Sequence, residues 1–177
     1  MKNNYMNLPV ESKISIIIPC LDGLEYIDDL FRALQKQTYS NFEIIFVNSK
    51  CVNSKKIEKK LSSYKDLDIK IFSTPPLFPG DARNLGIEKS SSSLIAFLDI
   101  KTIPSNTWLQ SAYEYKTSNN YDIVLGKFIC QAETNFQECV KAVTFGNISS
   151  NSLPGSLLSR ELFHEIGGFL VNCRAGE

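Results

Sequence analysis

Short apolar runs alternate along this chain with segments whose apolar residues recur at helical spacing, and that alternation limits the folds open to it. Ile14–Ile18 is rich in β-branched residues, as expected of a strand buried on both faces. Ile27, Leu30, Phe31 and Leu34 follow as one helix face, with Asp28, Asp29, Arg32 and Lys36 between them. Further strands are predicted over 42–48, 69–72, 94–98 and 121–128. Between them, Ile57, Leu61 and Tyr64 stripe a Lys-rich helix, Pro79-Gly80 opens a helix to about Glu88, and Trp108, Ala112 and Tyr115 ride on another. Crossovers of this kind build a mostly parallel α/β sheet flanked by helices. Beyond Gln131 the pattern weakens: a helix is expected over 136–145, a loop over 147–154, a strand over 155–158 and a short helix over 160–166, stopped by Gly167-Gly168.

The 177 residues suit one domain with a substantial core. Lys plus Arg equals Asp plus Glu at 19 each, so no global field draws the chain to nucleic acid or an acidic membrane. Cys20, Cys51, Cys130, Cys139 and Cys173 are odd in number and lack CxxC spacing, which argues against a disulfide framework or zinc site and for a reducing cytosol. The first nine residues lack the apolar core of a secretory leader, and no apolar run approaches the roughly 20 residues of a membrane span. A cytoplasmic location is expected, with peripheral association at the inner face of the membrane left open.

An open parallel sheet binds ligands beyond the carboxyl ends of its strands. Those ends here hold Pro19 to Asp22, Asn48 to Lys50, Ser73 to Pro75 and Asp99 to Lys101. Asp99 directly follows five apolar residues, a poor place for a carboxylate that only packs. No GxGxxG follows the first strand and no GxxxxGK[ST] occurs anywhere, so dinucleotide and P-loop readings lose their support.

Several segments together resemble family 2 glycosyltransferases. Ser15 to Asp22 with Tyr26-Ile27 resembles the family's SIIIPxYNxxxYI, and residues 37–45 resemble QTYxNxEII. Ala82-Arg83-Asn84-Leu85-Gly86-Ile87 matches ARNxGI, residues 94–99 match the run ending FLD, and Ile166-Gly167-Gly168-Phe169 matches IGGF. The matches keep the family's order over about residues 13–177, one domain after a tail of residues 1–12. The domain reads as cut short at its C-terminus. The resemblance implies a GT-A fold, a Rossmann-like sheet that binds a nucleoside diphosphate sugar, usually UDP-linked. It also implies inverting transfer to a hydroxyl of a glycan or lipid-linked acceptor, in building a surface polysaccharide or glycolipid. Pro19, Asp22, Asn48, Arg83, Asp99 and Lys101 fall on its nucleotide-sugar side, and Gly155 and Ser156 where its acceptor wall begins.

Three departures qualify that expectation. The family's DxDD, which holds Mg2+ or Mn2+, is Asp99-Ile100-Lys101-Thr102 here. Asp99 remains as a metal ligand, but a protonated lysine cannot be one. Either the Lys101 ammonium stands in for part of the cation's charge, or it points to solvent and the site has decayed. The family's base-binding Asp is Asn48, which can still accept and donate. Asp22 replaces an Asn and reads as an Asx turn. Arg83, flanked by Asp81 and Asn84, is either a nucleotide ligand or half of an internal ion pair. Finally, Glu177 would be the Glu of the family's ED motif, and the Asp that acts as base would come next. These 177 residues are therefore expected to be inactive or very slow alone. A degenerate member that binds nucleotide or glycan as a scaffold is the competing reading. His164, on a short helix beside Glu165, reads as a surface residue, and Trp108 and Cys20 read as core.

Overall fold

β1 (Ile14–Cys20) lies near the middle of a six-stranded sheet because it is apolar on both faces. The computed structural model describes residues 12–49, 54–144 and 150–173. Chain order through the first two-thirds is β1, α1 (Ile27–Gln35), β2 (Phe42–Asn48), α2 (Ser54–Leu61), β3 (Ile69–Ser73), α3 (Pro79–Lys89) and β4 (Leu94–Phe97). It continues with α4 (Trp108–Asn119), β5 (Ile123–Phe128), α5 (Asn135–Thr144), β6 (Ser150–Ser159) and α6 (Arg160–Ile166). The strands are ordered β3-β2-β1-β4-β6-β5, with the first four parallel and β6 antiparallel to both neighbours.

Alternate residues of β1 serve two cores. Ile14, Ile16 and Ile18 pack on Ile27, Leu30, Phe31 and Leu34 of α1, together with Ile44 and Phe46 of β2. Ile17 points the other way, to Ile45, Val47, Ala82, Ile87 and Phe163. The continuous apolar run is therefore a layer with helices on both sides. Three of the helix starts have a clear local cause. Pro79 sits in the first turn of α3, where its missing N–H is not needed. Asp28 and Asp29 meet the positive end of α1. The Ser159 hydroxyl caps α6 by accepting from the Leu162 N–H, and Gly167 ends that helix at φ 89°.

Two expectations need correction. Only residues 155–158 were expected as a strand, but β6 starts at Ser150, inside the expected loop. On α4 the buried residues are Leu109, Ala112 and Tyr113, while Tyr115 is exposed. No helix among the described residues is long and apolar enough to cross a membrane.

Candidate active site

The parallel strands deliver their carboxyl ends to one side of the sheet, and two cavities lie there. The larger is about 790 Å³ and the smaller about 270 Å³. Asp99 and Lys101, just past β4, stand in the walls of both. The smaller adds Pro19 from β1, Ser49 from beyond β2 and Arg83 from α3. The larger adds Trp108, Lys127, Phe128 and Gly155. Of the residues expected from sequence, the fold thus gathers Pro19, Arg83, Asp99 and Lys101 at one cavity and places Gly155 on the other.

The remaining expected residues lie elsewhere. Asn48 is fully buried at the end of β2, where its amide donates to the hydroxyls of Ser54 (3.1 Å) and Ser73 (3.4 Å). Asp22 is exposed on the turn after β1. Ser156 is buried and donates its hydroxyl hydrogen to the Leu153 carbonyl at 2.6 Å. Glu177 and Lys50 fall outside the described residues, as do residues 1–11.

Arg83 is an ion-pair residue, but its partner is neither neighbour on its helix. Its Nη2 lies 2.8 Å from Asp99 Oδ1, with the arginine side chain 7% exposed and the aspartate 44%. The guanidinium also lies over the Phe169 ring, 5.6 Å from the centroid. Asn84, the next residue, grips the backbone of Phe169 from both sides. Its Nδ2 donates to the Phe169 carbonyl at 2.9 Å, and its Oδ1 accepts from the Phe169 N–H at 3.0 Å. Asp81 accepts from the Asn172 N–H at 3.0 Å. Phe169 packs edge-on against Phe97, with centroids 5.4 Å apart. Three separate sequence motifs, ARN, FLD and GGF, therefore meet in one contact.

Lys101 is exposed, but its ammonium rests 4.9 Å from the centroid of the Tyr26 ring. Among the described residues, neither wall contains a carboxylate besides Asp99, and no group of three metal-ligating side chains occurs. With that one carboxylate held by Arg83 and an ammonium two residues on, the described side chains alone do not form a divalent-cation site. Cys20 is no nucleophile: burial, helped by Asp22 and Glu25, pushes its thiol up to about 11.

Sequence reasoning missed four contributors. Trp108 lines the larger cavity, with its indole N–H donating to the Gly155 carbonyl at 2.8 Å. Lys127 stands in the same wall. Tyr26 carries Lys101, and Asn84 fixes Phe169. Tyr26, Asn84 and Phe169 all sit inside matched motifs, so the motifs carried the signal, but their spatial partners are 75 to 85 residues away.

The model of the family described as "Glycosyl transferase family 2" matches residues 15–175. An uncharacterized glycosyltransferase of Rickettsia bellii is 28% identical over 146 residues, 81% of this chain and 20% of the relative. The mannosyltransferase PcManGT from Pyrobaculum calidifontis, solved in complex with GDP-Man and Mn2+, superposes with a TM-score of 0.69 at 16% identity, covering 93% of this chain and 49% of that one. S. aureus TarS in complex with UDP-GlcNAc gives 0.64 at 20% identity, covering 87% and 47%. At these identities the structures speak for the fold. The chain spans between 20% and 52% of the length of the first curated relatives it matches.

Proposed function

The chain belongs to glycosyl transferase family 2 and has the GT-A fold, and from that premise we propose that it forms the donor-binding part of an enzyme using a nucleoside diphosphate sugar, UDP-linked. The acceptor is a hydroxyl of a glycan or lipid-linked glycan in surface polysaccharide or glycolipid synthesis, and transfer inverts the anomeric centre. The observation that carries this reading is the meeting of Arg83, Asp99 and Lys101 between two cavities at the carboxyl ends of parallel strands.

The chemistry follows from charge. As the sugar–phosphate bond breaks, the departing diphosphate gains negative charge and must meet fixed positive charge. Lys101 supplies it as a point charge, and the Arg83 guanidinium lies behind it in the smaller cavity. A unit pair about 4 Å apart at an effective dielectric near 20 is worth roughly 4 kcal/mol before desolvation. Leaving the Tyr26 ring costs Lys101 about 0.5–1 kcal/mol. The exchange therefore favours the diphosphate. Asn48, buried next to Ser49 of the smaller cavity's wall, is assigned to the base, and Gly155 and Ser156 to the acceptor wall.

One observation favours a second reading, binding without transfer. Among the described residues, the one carboxylate in the cavity walls, Asp99, is engaged by Arg83 and so is poorly placed to take the acceptor's proton. Calorimetry with UDP and GDP, in Mn2+ and again in EDTA, tests the donor site. Binding is expected to persist in EDTA and to weaken about tenfold in Lys101→Ala, the size of one partly solvated ion pair. Binding seen only with Mn2+ would overturn the role given to Lys101. Turnover of a bound sugar nucleotide separates the two readings.

A further inference from the structure

Arg83 faces two partners at once. One is Asp99 in the wall of the donor cavity. The other is the ring of Phe169, whose backbone is tied by two hydrogen bonds to Asn84 on the same turn of α3. Asp81, one turn earlier, holds the Asn172 N–H. Gly168 leaves no slack, because at φ +78° an added Cβ would come within 3.0 Å of Phe163 and 3.2 Å of Asn84 Oδ1. The backbone of residues 168–172 is thus tied by hydrogen bonds to the first turns of α3, while the Phe169 ring also packs on Phe163 of α6, 5.7 Å between centroids. Ile166, Leu170 and Val171 are exposed, so Phe169 is the one apolar side chain of the segment that packs on the core, and the hydrogen bonds of Asn84 and Asp81 hold the rest.

The geometry points to Asn84 and Phe169 as positioning residues that couple occupancy of the donor site to the segment 168–172. The inference rests on the donor reading above. A diphosphate beside Lys101 competes with Asp99 for the Arg83 guanidinium. Any shift of Arg83 changes what the Phe169 ring rests on, and the Asn84 clamp makes the backbone follow. Without the clamp, Arg83 still meets the nucleotide, but the message stops at the ring.

Amide exchange at Phe169 and Asn172, measured on the 177-residue chain with and without saturating UDP, tests this. In the wild type UDP is expected to slow exchange there about tenfold, the scale of one stabilised local opening. Asn84→Ala should bind UDP within about threefold of wild type and exchange faster at baseline, with no response to UDP at Phe169. Phe169→Leu keeps the backbone bonds and loses the ring, so its baseline should hold while its response vanishes. That variant also carries the test should Asn84→Ala not fold. A merely structural clamp would raise the baseline in Asn84→Ala but leave the UDP response intact, and that result overturns the inference. UDP binding to wild type with no change at Phe169 overturns it too, while the donor reading stands. If UDP and GDP both fail to bind the wild type, the donor reading falls and takes this one with it.

Discussion

Glu43 is fully buried and still ionised, because four groups outweigh the cost of its burial. Desolvation opposes its charge, but Lys70 at 2.7 Å, the Ser15 hydroxyl at 2.6 Å, the Ser91 N–H and Lys13 hold its pKa at about 2, against an ordinary 4.5. The group lies at the amino end of β2, away from the cavities. A carboxylate with a depressed pKa stabilises the fold fully above its unfolded value, and that contribution is lost as pH falls from about 4.5 toward about 2. The shift corresponds to roughly 3 kcal/mol. Urea unfolding at pH 7 and pH 3 should show Glu43→Gln losing less stability over that interval than wild type, with most of those roughly 3 kcal/mol as the difference. Equal losses in the two proteins would mean that Glu43 is not the group responsible. Single residues were legible in identity more than in partnership. Arg83 invited an ion pair with Asp81, two residues away, but its partner is Asp99, brought over by the β3–α3–β4 crossover. Only tertiary structure makes that choice.

Close approach of α3 to β1 is what lets Arg83 and Asn84 reach the site. A Cβ added at Gly86 would stand 2.5 Å from Ile17 Cγ2 and 3.3 Å from Val47 Cγ2. Gly86→Ala gains about 1 kcal/mol of helix propensity but must push α3 off the sheet, at about 1–3 kcal/mol. Net destabilisation is expected in urea unfolding, together with weaker UDP binding, since Arg83 rides on the displaced helix. Unchanged stability would show that Ile17 yields freely. Elements whose pattern has one cause were readable from sequence: β1, β2 and β4 are apolar on both faces, and α1 has one clean stripe. β6 was not, because Pro154 and Gly155 lie in its middle and its partners are remote. Its pairing jumps from Val124–Leu157 to Gly126–Ser152, so residues 153–156 bow out of the ladder. The Ser152 and Ser156 hydroxyls close that bow by donating to the carbonyls of Pro154 and Leu153. A strand with such an excursion reads locally as a loop.

Across the whole molecule, the two ends of the sheet divide the labour. At the amino ends, Glu43 with Lys13, Lys70 and Ser15 forms a saturated polar network. At the carboxyl ends, Lys101 and Lys127 line cavities whose one carboxylate among the described residues, Asp99, is already paired. The chain is neutral overall, so attraction for an anionic donor comes from this local excess and not from a global field. A ligand that binds only the folded state at a hundred times its Kd adds about 2.7 kcal/mol to stability. In a domain of this size that raises Tm by about 5–10 °C. Because β1 and β4 join both halves of one sheet, the rise should appear in a single transition. Scanning calorimetry with UDP in EDTA checks this directly. Lys101→Ala at the same UDP concentration should recover only about half of the wild-type rise, since a tenfold weaker Kd leaves about 1.4 kcal/mol of the linkage energy. A full rise in the variant would move the diphosphate away from Lys101 and toward Arg83 alone, and the Arg83–Asp99 pair would then have to open for the donor to bind.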